Sequence, residues 1–309
     1  MSIVVCGSIN MDLVVRTPRL PRTGETIIGE QFVTVPGGKG ANQAVAAARL
    51  GAFTQMVGRV GNDAFGPSLV KGLVEYGVEC DRVSLDPTLP SGIAFIEVDH
   101  QGDNHIVVVP GANGNVGAEE IRCFQELLTH SHPKILMLQL EIPLDTVITA
   151  AQLARERGML VILDPAPAQD LPMELYSLID ILTPNQSEIT RLTGIEVKGP
   201  ESAIAAAQVF QRWGVRTILV TLGIDGVVIV TEQKSLHLPA FSVRTVDTVA
   251  AGDAFNGGLA VALSQELCLE DAVIRGMAVA ALSVTMSGAQ QSMPNSQTLE
   301  TFLSQNYKN

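Results

Sequence analysis

Residues 247–258 read Asp-Thr-Val-Ala-Ala-Gly-Asp-Ala-Phe-Asn-Gly-Gly and lead into an apolar, alanine-rich helical pattern at 254–263. The small residues at 250–252 allow the backbone to approach a ligand closely. Consecutive N–H groups at a helix start bind anions, so this loop is a candidate anion site. Asp253 lies where a helix start stabilises a charged, proton-accepting carboxylate, which suits a general base. The alternative is that Asp253 only caps the helix.

A second glycine-rich turn lies at residues 36–44, which read Pro-Gly-Gly-Lys-Gly-Ala-Asn-Gln-Ala, and a helical pattern continues from it to residue 50. It is not a Walker A loop, because Lys39 is followed by Gly40 and not by Ser or Thr. Close approach to a small polar ligand accounts for its glycines. A glycine-rich turn that binds nothing is the alternative.

Short apolar runs alternate with helical patterns along much of the chain. The runs are Ser2–Cys6, 135–140, Leu160–Leu163, 179–182, Thr217–Thr221 and 226–230, and helical patterns include 144–157 and 201–213. Such alternation predicts βαβ units, and therefore an α/β fold with a mostly parallel central sheet covered by helices on both faces.

Two stretches, 14–35 and 92–109, break this alternation and are rich in strand-forming residues. They predict antiparallel strands outside the main sheet. Because neither stretch could form a stable core alone, we expect a small β-sheet that covers another part of the molecule. The sequence shows no linker or repeat, so we predict a single three-layer α/β domain over residues 1–309, with lid strands from approximately 12–35 and 92–110.

Composition excludes several functional classes. The net charge of −12 disfavours nucleic acid as a partner, because Lys and Arg supply most of the affinity for phosphate backbones. The first residues contain no basic leader and no apolar run approaches the length of a membrane span, so we expect a cytoplasmic protein without a membrane partner. The four cysteines are too far apart in sequence for a zinc or redox motif.

The two glycine motifs, together with Gly-Ser-Ile-Asn-Met-Asp at residues 7–12, resemble the signatures of the ribokinase family, the PfkB-type carbohydrate kinases. The resemblance covers nearly the whole chain. It implies a three-layer ribokinase-like fold with a small β-sheet lid, and ATP-dependent phosphorylation of D-ribose at its 5-hydroxyl to give D-ribose 5-phosphate and ADP. Asp253 would be the base, and the N–H groups of Ala250, Ala251 and Gly252 would form the anion hole.

The same resemblance implies ligands for each substrate and cofactor. The sugar would be bound by Asn10, Asp12, Gly38, Lys39, Asn42, Glu141 and Asp253. ATP would be bound by Asn185, Glu188, Thr221, Gly223, Gly226, Gly252 and Met277, with Mg²⁺ held by Asn185 and Glu188 through water. An activating K⁺ would lie at Asp247, Val249, Ser283, Met286, Gly288 and Ser292. Lids of two subunits pack together in this family, which implies a homodimer.

Two positions depart from the family pattern. Ala250 stands where the family loop commonly has glycine, and alanine restricts positive φ. Met277 stands where a polar residue often lies near the adenine, which leaves the nucleotide preference open. The alternatives are a related kinase for deoxyribose, fructose or a nucleoside, and a non-catalytic sugar or nucleotide sensor.

Overall fold

Two sheets contain all the strands in the computed structural model, which describes residues 2–101 and 104–307. The strands are β1 (Ser2–Cys6), β2 (Asn10–Arg16), β3 (Gln31–Gly37), β4 (Phe53–Gly61), β5 (Val78–Asp86), β6 (Gly92–Val98), β7 (Asn104–Val109), β8 (Ile135–Leu138), β9 (Leu160–Leu163), β10 (Ile181–Leu182), β11 (Thr217–Thr221), β12 (Val227–Thr231) and β13 (Ser235–Leu238). The main sheet has the order β13-β12-β11-β10-β9-β8-β1-β4-β5, and the lid sheet has the order β3-β2-β6-β7.

Helices cover both faces of the main sheet. They are α1 (Lys39–Arg49), α2 (Gly66–Glu75), α3 (Ala118–His130), α4 (Leu144–Glu156), α5 (Met173–Tyr176), α6 (Gln186–Thr193), α7 (Pro200–Arg212), α8 (Ala251–Ser264), α9 (Leu269–Ser283) and α10 (Ser296–Asn306). In the described residues, none of these helices has both the length and the apolar character needed to span a membrane.

Alternating side chains of the central strands point to opposite faces of the sheet and build two cores. Ile3 and Val5 pack on the face covered by α1, α2, α8, α9 and α10. Val4 and Cys6 pack on the face covered by α3 to α7. The prediction of a three-layer α/β fold is therefore confirmed.

The main sheet is parallel from β5 to β11 and antiparallel at its other edge, where β11, β12 and β13 pair as hairpins. The sequence pattern did not separate residues 226–230 from the parallel runs. Only a short turn at Gly223–Asp225 joins β11 to β12. A parallel crossover needs a dozen or more residues, so this short turn forces antiparallel pairing.

The lid sheet consists of two hairpins whose inner strands run parallel. β2 pairs antiparallel with β3, β6 pairs antiparallel with β7, and β2 pairs in parallel with β6. Asn10 faces Gly37 on one side and Gly92 on the other, so these three residues form the base of the lid. The small lid sheet predicted from the sequence is present. Residues 102 and 103, within the predicted 92–110 range, lie outside the described residues.

Candidate active site

Helix α8 begins directly after Ala250, which is its N-cap. Ala250 has φ 58° and ψ 18°, a left-handed conformation that is unfavourable for alanine. Asp253 lies in the first turn of the helix and is buried. Its side chain does not cap the helix, because it accepts hydrogen bonds from another helix instead. The alternative of Asp253 as a simple cap is therefore wrong.

The carboxylate of Asp253 joins the two glycine motifs. It accepts hydrogen bonds from Asn42 Nδ2 at 2.9 Å and from Gln43 Nε2 at 3.1 Å, both on α1. Burial raises the pKa of Asp253, while the charge of Lys39 and the two hydrogen bonds oppose that shift. Hydrogen bonds to the charged form favour ionisation, so the site helps a buried carboxylate remain a proton acceptor.

Glu141 and Lys39 lie beside this carboxylate. Glu141 Oε2 accepts a hydrogen bond from Ser8 Oγ at 2.6 Å and from the Lys39 backbone N–H at 3.1 Å. Burial alone would lower the pKa of the Lys39 ammonium, but the negative charges of Asp164, Asp253, Glu141 and Glu188 raise it above its ordinary value. Lys39 is therefore a half-buried cation within a group of carboxylates.

Asn10 and Asp12 lie at the base of the lid. Asn10 Oδ1 accepts a hydrogen bond from Asn113 Nδ2 at 2.7 Å. The Asp12 carboxylate lies against Gly37, where an added Cβ would be 2.2 Å from Asp12 Oδ2, so a larger residue at position 37 would displace this carboxylate. Burial, followed by the charges of Glu141 and Asp253, raises the pKa of Asp12 to about 7.

Asn42 has one polar atom without a partner. Its Oδ1 is buried and makes no hydrogen bond within the described part of the chain, while its Nδ2 donates to Asp253. A buried unpaired acceptor is costly unless a ligand or water satisfies it. This atom is therefore available to accept a hydrogen bond from a ligand hydroxyl or a water beside Asp253.

A cavity of about 1060 Å³ begins at the start of α8. Six of the residues expected at the nucleotide line it: Asn185, Thr221, Gly223, Gly226, Gly252 and Met277. Apolar side chains of Phe255, Ala281 and Val284 line it as well. The cavity is large enough for a nucleotide, and Gly252 places one part of its wall next to Asp253.

Glu188 does not line this cavity but forms a capping box with Asn185 at the start of α6. Glu188 Oε2 accepts from the Asn185 N–H at 2.8 Å, and Asn185 Nδ2 donates to Glu188 Oε1 at 2.8 Å. Within residues 2–101 and 104–307, no group of three or more His, Cys, Asp or Glu side chains is arranged to hold a metal. One carboxylate and one carboxamide still suit Mg²⁺, which keeps most of its water ligands.

The residues expected around K⁺ lie on the loop before α8 and on the segment that runs from the end of α9 to residue 292, and the two pack together. Asp247 N donates to Val284 O at 3.2 Å, and Asp247 Oδ2 accepts from the Gly288 N–H at 2.9 Å. Asp247 Oδ1 also accepts from the Val249 N–H at 3.0 Å. These contacts bring the loop before α8 against the segment 283–292, which contains Ser283, Met286 and Ser292.

Sequence reasoning missed several buried polar residues of the site: Ser8, Gln43, Asn113, Gln139 and Asp164. Asp164 directly follows β9, and its charge is the largest of those that raise the pKa of Lys39. Burial in turn raises the pKa of Asp164, although the charge of Lys39 opposes this. The carboxyl ends of parallel strands form ligand sites, so the polar residue after a predicted strand was an available signal.

Comparisons with known proteins agree with this geometry. A family model described as pfkB family carbohydrate kinase matches residues 1–296. The chain is 42% identical over 302 residues to a ribokinase of Haemophilus influenzae, with 98% of each chain covered. It is also 37% identical over 307 residues to a deoxyribokinase of Salmonella typhi, covering 99% of this chain and all of the relative.

Solved structures of the same kind superpose on nearly the whole chain. A ribokinase from Thermotoga maritima has a TM-score of 0.87 at 39% identity and covers 98% of this chain and 99% of its own. An Arabidopsis thaliana ribokinase complexed with ribose and ATP has a TM-score of 0.89 at 34% identity, covering 97% and 98%. The resemblance carried by the two glycine motifs is confirmed, and the chain belongs to the PfkB family of carbohydrate kinases.

Proposed function

We propose that this kinase transfers the γ-phosphoryl group of ATP to the 5-hydroxyl of D-ribose, giving D-ribose 5-phosphate and ADP, with Asp253 as the general base. The position of Asp253 carries the proposal. Its carboxylate contacts Asn42, whose unpaired Oδ1 suits a sugar hydroxyl, and the neighbouring Gly252 lines the nucleotide-sized cavity. An attacking hydroxyl and a phosphoryl group would therefore meet beside this carboxylate.

Catalysis of phosphoryl transfer consists mainly of positioning and charge stabilisation. Asp253 accepts the proton of the attacking hydroxyl. The N–H groups of Ala250, Ala251 and Gly252 receive the negative oxygens of the moving group. The raised pKa of Lys39 keeps its ammonium charged at neutral pH, so it can offset charge on the phosphoryl group.

The sugar ligands complement hydroxyl groups as both donors and acceptors. Asn10 uses Oδ1 for Asn113, so its Nδ2 is the atom left to donate to the sugar. Asp12 and Glu141 provide acceptors, and Gly38, Lys39 and Asn42 complete the set. Matched polar groups select strongly among hydroxyl patterns, because a missing hydroxyl leaves a buried group unpaired.

Deoxyribose is the second candidate substrate. The observation in its favour is the deoxyribokinase relative at 37% identity over 307 residues. The two sugars differ only in the 2-hydroxyl, so both fit the same mechanism at the 5-hydroxyl. We place ribose first because the ribokinase relative is more similar to this chain, at 42% identity over 302 residues.

Two cations belong to the proposal. Asn185 and Glu188 would hold Mg²⁺ through water, and Mg²⁺ bound with ATP neutralises charge on the phosphates. The two packed loops at Asp247 and Gly288 would hold K⁺ mainly through carbonyl oxygens of the six residues expected there. Because the loop that contains Asp247 precedes α8, an ion at this position would stabilise the loop that carries Ala250.

We also propose that the protein works as one domain over residues 1–309 and forms a homodimer through its lids, in the cytoplasm where ATP is available. The consecutive residues Ile106, Val107, Val108 and Val109 of β7 are 45–59% exposed. Neighbouring side chains of a strand point to opposite faces, so both faces of this apolar strand are uncovered. A second copy of the lid would cover one of them.

The function is tested by measuring ADP release with a panel of ribose, deoxyribose, fructose and nucleosides, for the wild type and Asp253→Ala. Ribose should stimulate ADP release in the wild type by at least about a hundredfold over the variant. Ribose-independent release at the variant's level would instead support a sensor. Replacing K⁺ with Na⁺ should lower the rate, and an unchanged rate would remove the K⁺ proposal.

A further inference from the structure

Gln43 connects two buried carboxylates through one nitrogen atom. Its side-chain Nε2 donates to Asp253 Oδ1 at 3.1 Å and to Asp164 Oδ2 at 2.9 Å. Gln43 itself is only 1% exposed. The amide therefore links α8 to the end of β9. Within the described part of the chain, no other residue of the second glycine motif joins these two elements by a side-chain hydrogen bond.

Gln139 determines the orientation of this amide. Gln139 Nε2 donates to Gln43 Oε1 at 2.6 Å, so the amino group of Gln43 must face the two carboxylates. Gln139 can lie there because residue 7 is glycine, where an added Cβ would be 2.1 Å from Gln139 Oε1. The amide of Gln43 is thus fixed at both ends.

We propose that Gln43 is a positioning residue that prevents rotation of the Asp253 carboxylate and links this carboxylate to Asp164. Asn42 holds Oδ2 of Asp253 while Gln43 holds Oδ1, so each oxygen has its own donor and the carboxylate cannot turn. The inference rests on the proposed role of Asp253 as the base.

The charges around Asp253 give this contact an electrostatic effect as well. Asp12, Glu141, Asp164 and Glu188 are the carboxylates that interact with Asp253, and Lys39 is the cation that opposes them. Like charges and burial both favour the protonated acid, which cannot accept a proton. The donor of Gln43 counters both effects at the oxygen that it contacts.

The test compares Gln43→Met with Asp164→Asn in the full-length enzyme, by measuring kcat, KM and the pH profile of kcat. Methionine has a similar volume but no donor, so we expect kcat to fall about tenfold and the acid limb to move up by about one pH unit. KM for ATP should stay within twofold. Asp164→Asn keeps an acceptor for Gln43 but removes a like charge, so its acid limb should move to lower pH.

Opposite shifts in the two variants separate this role from a loss of packing, which would move both profiles alike. If Gln43→Met does not fold, Gln139→Met decides, because it frees the amide of Gln43 and should move the acid limb upward too. A wild-type acid limb and kcat in the folded variant overturn the proposal. Asp253→Ala tests the underlying function separately. If Asp253→Ala remains active, the assignment of Asp253 as the base fails. If Asp253→Ala is inactive but Gln43→Met behaves like the wild type, only the inference about Gln43 is overturned.

Discussion

Asn113 donates its side-chain amide to Asn10 Oδ1 at 2.7 Å across 103 positions of sequence. It also accepts from the Ile9 N–H at 2.9 Å and donates to the Ile9 carbonyl at 3.1 Å. Asn113 lies in the turn Gly111–Asn115 after the last lid strand, whereas Asn10 begins the first. The segment leaving the lid therefore determines which atom of Asn10 remains for a ligand.

Asn113→Asp should weaken sugar binding. A carboxylate still accepts from the Ile9 N–H but cannot donate to Asn10 Oδ1, so the Asn10 amide should rotate and present its oxygen to the sugar. Loss of one well-placed donor costs about 1–3 kcal/mol, which predicts a KM for ribose about tenfold higher or more. KM for ATP should not change by more than about twofold. Steady-state kinetics would contradict this reasoning if both KM values rose equally.

Sugar affinity should increase as the pH rises through neutrality. The pKa of Asp12 is about 7, so this carboxyl group loses its proton between about pH 6 and pH 8. The ionised form accepts hydrogen bonds from hydroxyl groups, and the protonated form accepts them less well. Calorimetric titration with ribose in the absence of ATP should give a dissociation constant several-fold lower at pH 8 than at pH 6. In Asp12→Asn, ribose binding should be weaker and should lose this pH dependence. If the affinity of the variant changed with pH as much as that of the wild type, the pH dependence would belong to another group.

Ala250→Gly should stabilise the fold. The left-handed conformation at this position costs an L-residue about 1–2 kcal/mol, which glycine avoids. Glycine also makes the unfolded chain more flexible, and this lowers the free energy of unfolding by about 0.4–1 kcal/mol. The free energy of unfolding in urea should therefore rise by up to about 1.6 kcal/mol. The matched control is Ala251→Gly at the first residue of α8, where glycine relieves no strain and should lower the free energy of unfolding by about 0.4–1 kcal/mol. Two changes of the same sign would rule out strain at Ala250.

Val107→Lys should dissociate the proposed dimer. Val107 is a 59% exposed valine on β7, and a two-fold interface would bury the substituted side chain twice. Sedimentation should show the wild type at twice the chain mass and the variant at one chain mass at micromolar concentration. Val74→Lys on α2 replaces a 55% exposed valine outside the lid and should leave the mass unchanged. A wild-type mass for Val107→Lys would exclude β7 from the interface.

The sequence predicted the layers of the fold better than the full set of strands. β1, β9 and β11 were predicted with the observed bounds because they are short, apolar and β-branched. β4 and β5 were missed, since Arg59 interrupts one and polar residues alternate along the other. Arg59 is tolerated in β4 because it pairs with Asp86 and Glu120, a long-range arrangement that no local pattern reveals.

The candidate site shows the same division between local and long-range information. The glycine motifs are local signals, so the loop before α8 and the start of α1 could be predicted with their residues. Gln43 and Asp164 each contribute a single side chain, and their contact joins residues 121 positions apart. Nothing in the spacing of either residue indicates the other. Asn113 similarly acquires its role only when the end of the lid returns to Ile9.

The register of the lid sheet places its base at the proposed sugar site. Asn10 is paired with both Gly37 and Gly92, and Asp12 follows on the same strand. From this base, the strands extend seven residues, or about 23 Å at the rise of a β-strand. A tilt of the lid by a few degrees about Asn10 would therefore move its far end by more than an ångström. Spectroscopic labels at the distal tip would therefore report binding more sensitively than labels beside the sugar.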